Sequence, residues 1–329
     1  MTAFAGCSDL GSESGPPETD GATDAGTDAP TETATPDTAT ADARLRAAST
    51  ALSANNDQFS RFVDRVERDT EEPATFDRTA VTDRLEGVRS DLDAADASGD
   101  ESQRETAAQL RTLADVQADA AAGFEAFGTA SVRWNEDVDI AVEAEQYSQA
   151  VSELDGVESA LSDARPSLDD ALSAIDGIET AALADVSVAV APLRTAIEAI
   201  SDQTNLFGDL VGIMRPYFEG TVLFLDGLES YQNGQFGTAA SVLSRAEAKF
   251  QTASSRADAI EASELDLDAA QGLSEIRCQV DAFTAAADYF ERSADAFAAG
   301  TDQRGEDLAQ QGEAALERCE STDSGGSAI

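Results

Sequence analysis

The chain has 329 residues, enough for one large or two medium domains, and its 65 acidic residues against 21 basic ones leave a net charge of −44. It contains no His, which removes Ser-His and Cys-His catalysis, His-ligated zinc or haem, and the usual general base. No Walker loop, GxGxxG or GxSxG motif is present, and the sequence reads as lacking the basic stripe that nucleic acid needs.

Residues 1–42 read as a non-globular start. Phe4-Ala5-Gly6-Cys7 resembles a lipobox, in which small residues precede a Cys that becomes the lipidated N-terminus. The pattern usually has an aliphatic residue at Phe4, and an apolar run of about 7–15 residues with a charged start before it. The residues before Cys7 supply neither. From Ser8 to Asp42 the chain is Thr, Ser, Asp, Glu, Gly, Pro and Ala with almost no large apolar side chain, too little to offset the entropy of ordering. A Cys followed by such a tether is how a lipoprotein spaces its folded domain from a membrane. The Thr-rich segment reads either as a plain solvated linker or as a site for O-glycosylation, and no Asn-x-Ser/Thr sequon occurs.

The remainder, 43–320, reads as one all-helical domain, followed by a disordered tail over 321–329. A helix pair is expected over 43–100. Leu45, Leu52, Phe59 and Val66 recur every turn or two of the first helix, which Glu71-Glu72-Pro73 ends. Val81, Leu85, Val88 and Leu92 mark the second. Asp91, Asp93, Asp96 and Asp100 lie near the following turn, but their spacing is not that of an EF-hand, and they read as a solvated acidic turn.

A first repeat half is expected over 101–203. It opens on a long helix from Ser102 to Glu143 whose seam includes Leu110, Leu113, Gln117, Phe124, Phe127 and Trp134, with Gly123 and Gly128 as candidate interruptions. Trp134 reads as a core anchor before a ligand platform. A helix from Tyr147 should break at Arg165-Pro166, and a further one carries Leu168, Leu172, Ile175 and Ile178. The alternating stretch Asp185–Pro192 reads as a helix junction, since a lone strand would have no partner.

The second half, 204–320, contains the least polar helix, about Asn205–Gln232, interrupted by Arg215, Pro216 and Glu219 and so too polar to cross a bilayer cleanly. A helix over about Leu265–Ala299 has a regular seam through Leu273, Ile276, Val280, Phe283, Phe290 and Phe297, ended by Gly300. The last helix carries Leu308, Ala315, Leu316 and Cys319.

Between these lies the stretch from Leu223 to Phe250, which reads as two helices folded back on each other at Asn233-Gly234. Gly227, Gly234, Phe236, Ala239, Leu243 and Ala246 stand where a tetratricopeptide (TPR) unit alternates small and large residues, and the stretch resembles one. It departs from that pattern at Leu223, where Trp is usual, at Asp226, where Leu is usual, and in lacking a Pro near Gln251. A weaker copy lies upstream, with Trp134, Tyr147, Ala150, Leu154 and Val157 at a constant interval before Leu223, Phe236, Ala239, Leu243 and Ala246. Any Ala-rich antiparallel helix pair gives a similar pattern, and the local structure is a helical hairpin in either case.

Abundant Asp and Glu, a single Lys (Lys249), small Ala-rich seams and few aromatics resemble the proteome of a salt-in halophile of the haloarchaeal type; an ordinary acidic interaction protein is the alternative. Cys278 and Cys319 flank Gly300 at similar distances, so an antiparallel hairpin brings them level, either as a disulfide suited to an extracytoplasmic compartment or as two buried thiols. Two Cys without His or CxxC spacing do not make a metal site, and no cofactor is expected.

The sequence thus predicts an all-α protein of long antiparallel helical hairpins, arranged as a TPR-like repeat or bundle. It is expected on the extracytoplasmic face of the cell membrane, anchored through Cys7, as a non-enzymatic scaffold for a protein or peptide partner. Trp134, Tyr147, Leu223, Tyr231, Phe236 and Leu243 are the candidate contacts for that partner. The rival readings are a solute-binding or transporter-associated lipoprotein and a coiled-coil spacer of the cell envelope; an enzyme ranks last.

Overall fold

The computed structural model describes residues 38–68, 73–260 and 267–319, and no strand occurs among them. The helices are α1 (Thr38–Val66), α2 (Arg78–Ser98), α3 (Glu101–Arg133), α4 (Asp139–Glu143), α5 (Tyr147–Ile175), α6 (Ala191–Gln232), α7 (Phe236–Ala259), α8 (Leu267–Ala298) and α9 (Asp302–Leu316). A π-helical turn, Trp134–Val138, joins α3 to α4, and a short 3-10 turn, Thr180–Leu183, follows α5. The lipobox-like start with Cys7, the linker up to residue 37 and the tail over 321–329 lie outside the described residues.

The helices pack mainly in chain order, with α3 lying chiefly against α5 across the short α4, and α6 also reaches α1, α3 and α8. The first helix begins before Ala43, because residues 38–42 have work in the fold. Ala41 is wholly buried, and the Gln103 amide donates to Thr38 O (3.0 Å) and Asp42 Oδ1 (2.6 Å). The same Gln103 closes a capping box with Asp100, fixing where α3 starts. Deeper in, Gln117, Asn55 and Asn56 are buried but satisfied. Asn55 donates to Gln117 Oε1 (2.8 Å), and Gln117 donates to Asn56 Oδ1 (2.7 Å) and to Leu52 O (2.9 Å). The polar residue in the expected seam of α3 therefore holds α1 in register.

Gly123 and Gly128 do not interrupt α3. They allow close approach: a Cβ on Gly123 would sit 2.6 Å from Leu168, and one on Gly128 would sit 3.0 Å from the Ala74 carbonyl. Two prolines expected to end or interrupt helices lie inside them. Pro166 leaves α5 unbroken, so the two helices expected on either side of it are one, while Pro216 lies within α6 as it does within the helix expected over about Asn205–Gln232. A proline removes one intrahelical donor and crowds the carbonyl four residues back. At Pro216 the freed carbonyl belongs to Gly212, and Arg256 of α7 donates to it (2.5 Å). At Pro166 the residue four back, Ser162, is exposed, so water can serve its carbonyl.

Three hairpins close with the same turn. Gln146, Gln235 and Thr301 donate their backbone N–H to Ala141, Ser230 and Ala296, at 2.8, 2.9 and 2.9 Å. The preceding residue is left-handed in each case: Glu145 (φ 57°), Gly234 (φ 71°) and Gly300 (φ 73°). All three hairpins were expected, but only the first two as copies of one unit; the third, between α8 and α9, repeats their hydrogen bonding. The interval from Gly234 to Gly300 also separates Tyr217 from Phe283, Phe224 from Phe290 and Tyr231 from Phe297, and each of these pairs is in ring contact, with centroids 5.7, 6.0 and 5.8 Å apart. A ladder of aromatic residues thus binds α6 to α8. Upstream, the π turn holds one extra residue, so the internal match shifts by one and Trp134 falls level with Phe224, not with Leu223.

Candidate binding furrow

Gly208, Gly212, Arg215, Glu219 and Leu223 recur three and four apart, so they form one face of α6, and all five are half-buried. The helices α5 and α7 pack against α6 on either side of this face. Between α6 and α7 the surface sinks into an open furrow of about 510 Å³, lined by Arg215, Pro216, Glu219, Leu223, Arg245, Ala248, Lys249, Thr252 and Arg256. The chain's single Lys is here with three arginines, against one carboxylate in the lining. Arg245, Lys249, Thr252 and Arg256 follow a helical period along one edge of α7, a local row of three cations in an acidic chain.

The cations are held in different ways. Arg215 donates from Nε to Glu158 (2.9 Å) and from Nη2 to Asp155 (2.7 Å), tying α6 to α5. Lys249 pairs with Glu219. Arg256 gives Nη1 to the Gly212 carbonyl and has room because Gly212 has no side chain; a Cβ there would lie 3.4 Å from that nitrogen. On the other flank, Arg165 of α5 lies so close to Gly208 that a Cβ would clash with its guanidinium. Arg245 is exposed and has no ion pair among the described residues.

Of the residues expected to contact a partner, Leu223 alone lines the furrow. Leu243 is wholly buried, and its side chain fills the space left by Gly227, where a Cβ would come within 2.7 Å; it is a packing residue and presents nothing to a partner. Tyr231 and Phe236 belong to the aromatic ladder, in contact with each other at 5.5 Å, and Phe236 stacks on Phe297 at 5.0 Å. The Tyr231 hydroxyl lies 2.7 Å from Ser293 Oγ. Trp134 packs edge-on to Phe207 (5.5 Å) and Tyr147 against Phe218 (6.1 Å), both on α6. The structure does not gather the six into one surface. Cys278 and Cys319 are joined as a disulfide, with Cα atoms 5.9 Å apart.

A larger concavity of about 660 Å³ lies at the C-terminal end of α1, lined by Gln58, Arg61, Arg65, Arg68, Thr75, Phe76 and Asp77. Its cations are occupied locally. Arg61 donates to Asp57 O, Arg65 to Thr75 O, and Arg68 pairs with Asp64 at 3.7 Å. No cluster of metal-ligating side chains occurs among the described residues, and no described helix is long and apolar enough to cross a membrane.

Beside the π turn, burial and then the neighbouring Glu143 push the Asp139 carboxyl up to about 6. A carboxyl raised in the folded state holds its proton longer there than in the unfolded chain. Its contribution therefore weakens stability as pH rises from about 4 through 6. Asp139→Asn is expected to raise Tm at pH 7 and to leave it almost unchanged at pH 4. Melting the two proteins across that range by circular dichroism checks this; equal Tm differences at both pH values would show that Asp139 titrates normally.

No family model, curated protein or solved structure matches the chain.

Proposed function

We propose that this protein is an exported, membrane-anchored, non-enzymatic scaffold that binds a protein partner on TPR-like helical hairpins. The supporting observation is the thrice-repeated hairpin turn, which sets long helices side by side and leaves an open furrow along α6. Arrays of this kind hold partners along an extended surface. The anchor is Cys7 in its lipobox-like setting, and the disulfide suits an extracytoplasmic site. Adaptation to high salt accounts for the net charge of −44, whose self-repulsion is screened once the Debye length falls to about 3 Å near 1 M. A second reading, a lipoprotein holding a small anion, draws on the convergence of cations in one furrow.

The test is affinity purification of the tagged full-length protein from its native membranes, in multimolar salt with mild detergent, followed by mass spectrometry. A reproducible protein partner is expected, and Leu223→Asp, at a half-buried furrow position, should abolish its recovery from a chain that circular dichroism shows to be still folded. A monomer that retains no protein would end the scaffold reading and leave the small-anion one.

A further inference from the structure

From the furrow's charge and shape we infer the chemistry of the partner: a carboxylate-rich peptide segment carrying an aliphatic side chain between its acidic residues. This rests on the scaffold reading and specifies its ligand. Carboxylates outnumber cations about threefold in this chain, 65 to 21, yet the furrow gathers four cations against the single carboxylate of Glu219 in its lining. Among the described residues Arg245 has no ion pair, and Arg256 has none either, giving one nitrogen to the Gly212 carbonyl and keeping its other donors for a ligand. The furrow also shows what its cations take when a ligand is at hand, since Arg215 is already forked across Glu158 and Asp155 and Lys249 holds Glu219. A planar guanidinium makes such contacts in pairs, with direction as well as charge.

The floor distinguishes a peptide from a polyphosphate. Leu223, Pro216 and Ala248 line it with apolar surface between the cations. An aliphatic side chain gains from covering that surface; a phosphodiester backbone has nothing to put there. The cations from Arg245 to Arg256 extend along about 16 Å of helix, the reach of roughly five extended residues. The chain as a whole carries a net charge of −44, so a longer polyanion would meet repulsion outside the furrow. In concentrated salt that long-range repulsion is screened, whereas direct guanidinium–carboxylate contacts persist at short range.

The probe is a fluorescein-labelled peptide with Asp and Glu on both sides of a central Leu, titrated with the full chain in about 2 M salt, where the Debye length is under 3 Å, and read by anisotropy. Its Asn/Gln counterpart should bind at least about tenfold more weakly, since the charge-assisted contacts are gone. Arg245→Glu should weaken the acidic peptide by about tenfold or more and Arg245→Lys by less, because only arginine offers the planar fork. Arg245 is exposed and has no ion pair, so these variants should melt as the parent does; Thr252→Glu on the same edge is the second variant and should weaken binding likewise. Equal binding of the neutral peptide, indifference to Arg245→Glu and Thr252→Glu, or tighter binding of a single-stranded oligonucleotide would overturn the inference. If the membrane partner is still recovered by Arg245→Glu while the acidic peptide fails, the scaffold stands and its ligand is of another kind.

Discussion

Phe124→Ala is expected to lower the free energy of unfolding by about 3–5 kcal/mol, the range for deleting a fully buried aromatic side chain. Phe124 has no exposed surface, and its ring meets those of Phe59 at 4.9 Å, Phe76 at 5.3 Å and Phe62 at 5.4 Å. These rings come from α1, from α3 and from the segment leading into α2, so one side chain joins three elements. The surrounding core is rich in alanine, including the wholly buried Ala107, Ala114, Ala120 and Ala121. Alanines cannot swing into a cavity of this size. The chain is also held close by backbone, with the Ala74 carbonyl against Gly128 of α3. The site therefore has little means of collapse, which places the expected loss toward the upper end of the range. Denaturant titration in high salt measures it, and Phe124→Leu should cost less because most of the volume stays. A loss for Phe124→Ala below about 1 kcal/mol, outside the usual range for such deletions, would mean that the ring cluster does not organise the N-terminal half.

The helical character and most helix ends were legible because apolar spacing and turn residues are local signals. Leu110, Leu113 and Phe124 on α3, or Leu273, Val280 and Phe290 on α8, mark their seams without help from the rest of the chain. Pro166 misled because a proline signals a break only when the lost donor matters, and Pro216 likewise sits inside its helix. The rescue at Pro216 comes from Arg256, forty residues along in another helix. The π turn at Trp134–Val138 has no composition of its own, and it displaced the internal match by one residue. The third hairpin was signalled by Gly300, yet its likeness to the others lies in backbone hydrogen bonds and in the aromatic ladder between α6 and α8.

The furrow was half legible. The edge formed by Arg245, Lys249 and Arg256 has a helical period, but in so acidic a chain the eye counts charges in bulk and passes over a few cations in line. That Arg215 and Pro216 should face them needed the pairing of α6 with α7. Leu243 and Phe236 were expected at the surface for the same reason in reverse. A residue that packs a hairpin and one that meets a partner carry the same apolar signature, and only burial separates them.

Breaking the disulfide is the other change with a large expected effect. Closing a loop of 41 residues removes chain entropy from the unfolded state worth about 4 kcal/mol in the loop-entropy account. The loss should fall on α9 first. That helix packs mainly on α8, and its buried positions are Gly305, Leu308, Gly312 and Ala315, so Leu308 and the half-buried Leu316 are the large apolar side chains it brings to the interface. The rest of the contact comes from Phe297 and Phe290 of α8, whose rings lie where side chains on Gly305 and Gly312 would stand. The Ser293 hydroxyl adds one hydrogen bond to the Gly305 carbonyl (2.7 Å). Such an interface holds a helix whose two ends are fixed, one by the turn at Gly300 and the other by Cys319. With Cys278 and Cys319 both changed to Ser, amide exchange over residues 302–316 should become fast while α6 and α7 stay protected, because local opening costs less than unfolding the aromatic ladder. Loss of protection throughout at the same rate would instead make α9 part of one cooperative unit. In the local case, opening α9 uncovers the edges of Phe290 and Phe297 that Gly312 and Gly305 now cover, so the disulfide keeps the end of the aromatic ladder closed.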